Sequence, residues 1–332
     1  MIFDFFKPRG IRRFVFILFC ITVLFWQKII AFGELNSPQP IISIDALLNS
    51  LMSVNIYLSA VVKILLMLLC SYSFIIMLSV HDALPDRKYL AVVLFLAIIS
   101  IFTDAQNIAN VAFAFTFQSF AFYCIFRTYH SDNIKSSAFI AAFLTGISVM
   151  FYFPFIVAMI SLIMGIWIFS EATSRNIISM ILGFFAPFVF LFYFYHFAYH
   201  DFNSILSVIE NNFKNLISIS FNFSDFNNIT TIFMAFVFLV SFVSIPKISR
   251  VKYAKNVHKK TDQMFYFLFL ISVIMIVLIS SMKLYGIILF GMSAAYLITR
   301  FSQLVKRERI AEIIVFLILI AAIAYNNYMI FV

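Results

Sequence analysis

The feature that most constrains this chain is the length and number of its apolar runs. Stretches of near-continuous hydrophobic residues recur from Phe14 to Phe331, separated by short charged segments. A hydrocarbon core about 30 Å thick is crossed by about 20 apolar residues in helical form. Lipid offers no hydrogen-bond partner, so each run must satisfy its own backbone as a helix. The chain is 64% hydrophobic and 11% charged, whereas soluble domains sit near one half and one quarter. That excess has to face lipid. The expected fold class is therefore all-α, a polytopic transmembrane helical bundle of about eleven spans. It forms a single transmembrane domain over residues 1–332.

Windows near 20 residues place the spans. The first is Phe14 to Phe32, expected to be an uncleaved signal-anchor because no small-residue cleavage site follows it. The others are Ile56 to Val80, Tyr89 to Thr103, Val111 to Phe126, Ile177 to His196, Ile229 to Ile245, Met264 to Ser280, Tyr285 to Ile298 and Ile310 to Phe331. The run Ser137 to Phe169 is too long for one span and divides at Tyr152-Phe153-Pro154, since proline breaks the helical ladder. Pro246 is expected to stop the helix before it. The Lys-rich stretch Pro246 to Gln263 then forms the largest loop, resting near anionic headgroups or binding a cytoplasmic partner.

Charge sets the orientation. Lys7, Arg9, Arg12, Arg13, Arg87, Lys88, Arg127, Lys135 and Arg175 fall on one side, with six more from Lys247 to Lys260 and four from Arg300 to Arg309. Lys214 and Lys283 fall on the other, and Lys28 and Lys63 lie within spans. By the positive-inside rule the rich side is cytoplasmic. The N-terminus is then cytoplasmic, and an odd number of spans puts the C-terminus outside. The expected location is the bacterial inner membrane. The net charge of +9 is explained by topology, so no nucleic-acid partner is expected; membrane lipid is.

No phosphate-cradling glycine loop, HExxH or nucleophile elbow occurs, and the loops are too short for a nucleotide-binding domain. Chemistry would therefore use embedded or outer-face side chains. Cys20, Cys70 and Cys124 lie within apolar runs and read as small buried residues. The 46 Phe read first as compositional bias and second as aromatic lining of a lipid groove.

Several residues are candidates. Asp104, in Thr103-Asp104-Ala105-Gln106-Asn107, follows a short span. It is either an acid in a protein-lined cavity or the N-cap of the next helix. Asp45 either serves chemistry or caps an interfacial helix running to Asn55. Glu34 is an outer acid or a solvated loop residue. Lys63 stands about seven residues into its span, roughly 10 Å deep. It either snorkels or meets an anion in a cavity. Lys28, beside Trp26, snorkels; with Lys63 and Lys283 it supplies outer-side charge for a phosphate. His196 and His200 share a helical face and Asp201 follows, a partial divalent-metal set or simply interfacial histidines.

The order of elements resembles the GT-C superfamily of membrane glycosyltransferases, such as protein mannosyltransferases. The likeness rests on an outer first loop with acids, on Asp104 after the third span, on the Ile125-Phe126-Arg127 ending, and on GISVMFYFP at Gly146 to Pro154. The segment RNIISMILGFFAPFVFLFYFYH, Arg175 to His196, continues it. The GT-C-like core would be 14–228, followed by C-terminal helices 229–332. The chain is also similar, more closely, to a group of bacterial envelope proteins with GISVMFYFP-like and ILGFFAPF-like segments; that likeness implies no activity. The GT-C resemblance implies a catalytic base in the first outer loop, at Asp45 or Glu34. It implies a second-loop acid, Asp104, that binds metal or substrate. It also implies a polyprenyl-phosphate-linked sugar as donor, its phosphate held by Lys63 or Lys28. The first loop departs from the family in being short and lacking an adjacent acid pair. A catalytically lapsed relative, a non-catalytic subunit or assembly factor of an envelope complex with membrane-protein partners, and a lipid or solute transporter stand as the other expectations.

Overall fold

The computed structural model describes residues 11–30, 56–82, 84–85, 87–102, 108–130, 133–170, 173–199, 207, 209–214, 228–251, 256–278, 283–305 and 308–328. Among these the chain is helical, without strands. In chain order the helices are α1 (Ile11–Ile30), α2 (Ile56–Ser79), α3 (Lys88–Phe102), α4 (Ile108–Arg127), α5 (Ile134–Phe151), α6 (Ala158–Phe169), α7 (Ser174–Tyr199), α8 (Asn228–Ser249), α9 (Asn256–Leu278), α10 (Lys283–Leu304) and α11 (Glu308–Tyr328). Eight of them, α2, α4, α5 and α7–α11, are long and apolar enough to cross a membrane. Shorter apolar helices occupy the remaining windows, at Val15–Trp26, Lys88–Phe102 and Phe153–Phe169.

Both proline expectations can be compared with helix ends. At Pro154 the helix does break: α5 stops at Phe151, a 3-10 turn covers Phe153–Val157, and α6 begins at Ala158. At Pro246 it does not, and α8 continues to Ser249. Pro246 lies within the last turn, where only one ladder bond is lost, and Ser249 Oγ donates to its carbonyl at 3.0 Å. α9 then starts at Asn256, so the Lys-rich stretch is largely helical rather than one long loop. Pro187 lies inside α7.

The chain forms two compact units that interleave in sequence. One contains α1, α3 and α8–α11; the other contains α2 and α4–α7.

In the first unit α3 is buried continuously from Leu90 to Ile101. A helix apolar on every side is a central one. It packs antiparallel on α10: Arg87, just before α3, donates to Ser302 O at 2.6 Å, and a Cβ on Gly291 would meet Ile98. α9 is antiparallel to α10 as well, since Asp262 meets Tyr296 and Phe269 meets Phe290. Phe238 of α8 stacks on Phe269. Asn326 of α11 ties α1 and α3 together, donating to Leu24 O at 3.1 Å and Ser100 Oγ at 3.0 Å. These pairings gather Arg87, Lys88, Lys247, Arg250, Lys259, Lys260, Arg300 and Arg309 at one end of the unit, with Lys283 opening α10 at the other.

In the second unit α4 and α5 run antiparallel. Ser148 Oγ donates to Ala114 O at 2.8 Å, and Thr145 Oγ1 to Gln118 Oε1 at 3.2 Å. α5 and α7 run parallel, closely enough that Ser179 Oγ reaches Lys135 O at 2.9 Å. Gly146 and Gly183 sit in that contact with the backbone of the opposing helix against them, the close approach that small residues allow between membrane helices. Arg127, Lys135 and Arg175 thereby share one end. Each peripheral helix shows lipid an apolar stripe, such as Leu58, Val61, Leu65, Leu69 and Tyr72 on α2.

Candidate functional site

Of the charges singled out in the sequence, Lys63 is the one that the described residues place deep within a helix. It lies on the packed stripe of α2 with Met67, Ser71, Phe74 and Leu78, opposite the lipid-facing stripe, and is 2% exposed. Seven residues separate it from the first residue of α2, about 10 Å along the axis. Snorkelling past the lipid face does not describe this position. A charge in a membrane helix costs about 2.5–3.5 kcal/mol even on insertion scales, so its burial inside the protein is a built feature rather than an accident of register.

The other candidates are distributed differently. Asp45, Asp104, Glu34, His200 and Asp201 lie outside the described residues. Lys28 stands in the last turn of α1. His196 is exposed near the end of α7, its ring edge-on to Phe197 with centroids 5.5 Å apart. Among the described residues no three ligating side chains converge on a point that would hold a metal.

A second cluster was not anticipated from the sequence. At the basic end of the first unit, Asp262 in the second turn of α9 is 1% exposed. It accepts a hydrogen bond from Tyr296 Oη of α10 through Oδ1, and its Oδ2 stands 3.8 Å from Arg300 Nε. Arg300 also donates to Gln303 Oε1 at 3.2 Å. Phe265 stacks on the Tyr296 ring at 3.7 Å. The hydroxyl of Tyr266 is buried beside the carboxylate without a hydrogen-bond partner among the described residues. Arg87 bonds Ser302 O and, at 3.2 Å, Ser302 Oγ on the next turn of α10. Two i,i+4 pairs, Asp262–Tyr266 and Tyr296–Arg300, thus face each other across the α9–α10 hairpin. Two partners balance the carboxylate, an arrangement suited to locking helices rather than to abstracting a proton. Asp262 was hidden in the sequence by its Lys-rich surroundings. The detectable signal was that acid–Tyr and Tyr–Arg pairs recur at helical spacing on consecutive spans.

A family profile matches residues 33–331, nearly the whole chain. The chain belongs to DUF6427, a family of unknown function. No curated protein matches it, and no solved structure does. For DUF6427 the multi-pass, all-helical character seen here therefore stands on the chain's own residues. The match begins beyond α1 and spans α2 to α11.

Proposed function

We propose that this is an eleven-span protein of the bacterial inner membrane, N-terminus cytoplasmic and C-terminus outside. We further propose that it takes a polyprenyl-phosphate-linked sugar at the outer face, as a GT-C-like glycosyltransferase does. The observation that carries this reading is Lys63: a lysine buried about 10 Å inside a membrane helix, at the end of α2 that the proposed topology puts outside. An ammonium there offers a phosphate a charge in a medium that screens it little.

The chemistry asks little of the protein. The bond between the anomeric carbon and the phosphate oxygen breaks, and the electron pair leaves with the phosphate, held by Lys63. The acceptor oxygen forms the new bond to the anomeric carbon and gives its proton to a carboxylate, the role the resemblance assigns to Asp45, Glu34 or Asp104. His196, His200 and Asp201 are the set to test for a divalent metal.

The test is binding of a polyprenyl-phosphate sugar to the full chain in lipid nanodiscs. Hydrogen bonds to charged groups contribute about 1.5–3 kcal/mol, so Lys63→Met is expected to weaken binding roughly ten- to hundredfold, with Lys63→Arg retaining more. Affinity unchanged in Lys63→Met removes the phosphate role. No binding by the wild type removes the reading itself, and the assembly-subunit reading then takes its place.

A further inference from the structure

α8 ends in two cations that no acid balances. Between Asp225 and Asp262 the chain has neither Asp nor Glu. Lys247 lies in the last turn of α8 and Arg250 directly follows the helix. Both side chains are exposed, and neither has an acid partner among the described residues. Like charges at this spacing repel one another, and the carbonyl end of the helix offsets that only in part. Lys247 is nevertheless held in place. Its ammonium lies 4.8 Å from the centre of the Phe301 ring, and Phe301 of α10 is buried. A cation set on an aromatic face keeps one position.

The helix face leading to these cations is apolar. Ile232, Leu239, Val243 and Arg250 follow one another at intervals of seven, four and seven residues, so they fall on one line along α8. Ile232, Leu239 and Val243 are exposed, on the surface that a span shows to lipid. Lys247 flanks the line, one turn from Val243 and one turn from Arg250. From Arg250 to Leu239 the line covers about 16 Å, close to half of a hydrocarbon core about 30 Å thick. A lipid in one leaflet has the same order, with a phosphate at the interface and an acyl chain below it. A soluble anion would match the cations and leave the apolar line unused. A zwitterionic lipid would bring a further ammonium to a place that already holds two cations.

We propose that this face of α8 binds one anionic phospholipid of the bilayer, its phosphate at Lys247 and Arg250 and its acyl chain along Val243 and Leu239. This site does not rest on the donor site at Lys63, which lies in the other unit.

The experiment reconstitutes the full chain in vesicles of phosphatidylglycerol and phosphatidylethanolamine in equal parts, with one lipid or the other brominated on its acyl chains. Trp26 and Trp167 are replaced by Phe, and a single reporter is introduced by Val243→Trp or, separately, by Leu239→Trp. Both positions are exposed to lipid, so neither substitution disturbs core packing. Quenching by each brominated lipid reads the composition beside the reporter. Phosphatidylglycerol is expected to be preferred there roughly fivefold or more over the bulk ratio, since each cation near a headgroup contributes about that factor. Lys247→Gln with Arg250→Gln is expected to return the ratio to the bulk value. Lys259→Gln with Arg309→Gln, which removes two exposed cations from α9 and α11, is expected to leave the preference in place. A reporter introduced by Ile232→Trp, at the other end of the same line, is expected to read the bulk ratio. A bulk ratio at both Val243→Trp and Leu239→Trp overturns the proposal. So does an equal loss of preference in the Lys259→Gln, Arg309→Gln chain, or an equal preference at Ile232→Trp, because either result means diffuse charge rather than a site.

Discussion

Gly146 and Gly183 set how closely α5 and α7 approach. A Cβ built on Gly146 would stand 2.5 Å from Phe184 O and 2.9 Å from Pro187 Cγ, and one on Gly183 would crowd the Phe139 carbonyl. These neighbours are backbone and a proline ring, which cannot rotate away. Overpacking of this kind costs about 1–3 kcal/mol, so Gly146→Ala and Gly183→Ala are each expected to lower the thermal midpoint in detergent. A double variant falling by much less than the sum would show that one helix displacement relieves both clashes. Both glycines were visible as members of the GISVMFYFP and ILGFFAPF segments, but their meaning was not. A glycine in an apolar run does not reveal which backbone will press on it. Lys63 shows the converse. Its depth was legible by counting residues, while its side of the helix depended on which neighbours α2 acquires.

At the scale of elements, the α9–α10 hairpin is joined by Asp262, Tyr296 and Arg300. Removing one member of a buried ion pair costs about 3–5 kcal/mol, whereas replacing both by apolar groups is often neutral. Arg300→Met alone is therefore expected to destabilise strongly, and Asp262→Leu with Arg300→Met to recover most of the loss in thermal unfolding. If the double variant is as unstable as the single, the cluster does more than hold two helices together. The segment at 209–214 behaves differently. Phe213 meets the Phe153 ring edge-on at 5.1 Å, and Glu210 pairs with Lys214 at 2.7 Å. The hydrogen bond from Lys214, and then its charge, hold the Glu210 carboxyl below the ordinary carboxylate range. A lowered folded value means that any stabilisation is present above the unfolded pKa and fades as pH falls through the folded one. The pair is fully exposed, and such pairs contribute little. Glu210→Gln is expected to leave the thermal midpoint unchanged at neutral pH, within measurement error. Helix positions came through from hydropathy with small errors, and the error at Pro246 has a local cause. A proline in the last turn forfeits one ladder bond near the helix end, where a serine can serve the carbonyl. Pro154 stands mid-run, where the chain breaks.

For the molecule as a whole, the strongest agreement between sequence and structure concerns charge rather than any single helix. The positive-inside count used loops alone. The pairings Arg87–Ser302, Asp262–Tyr296 and Lys247 over the Phe301 ring at 4.8 Å are independent of that count, yet they collect the same basic segments at one end of the first unit. In the second unit the α4–α5 and α5–α7 contacts collect Arg127, Lys135 and Arg175 in the same way. Helix directions alternate because short connections join spans, and basic residues cluster because they resist translocation. Two unrelated constraints thus put the basic segments of each unit at one end of it, while the charge count does not say which acids meet which cations, and that was the part of the candidate site the sequence left open. The proposed topology predicts a labelling pattern. In a background with Cys20, Cys70 and Cys124 replaced, single cysteines at Ser249, Ser174 and Gln303 are expected to resist a membrane-impermeant thiol reagent applied to intact cells and to react after permeabilisation. Cysteines at Asn211 and Asn228 are expected to react in intact cells. A swap confined to the positions after α7 would contradict the Arg87–Ser302 bond, which puts Gln303 at the end of the first unit where α3 begins; reaction of all five positions on the sides expected, or on the opposite sides together, keeps that packing.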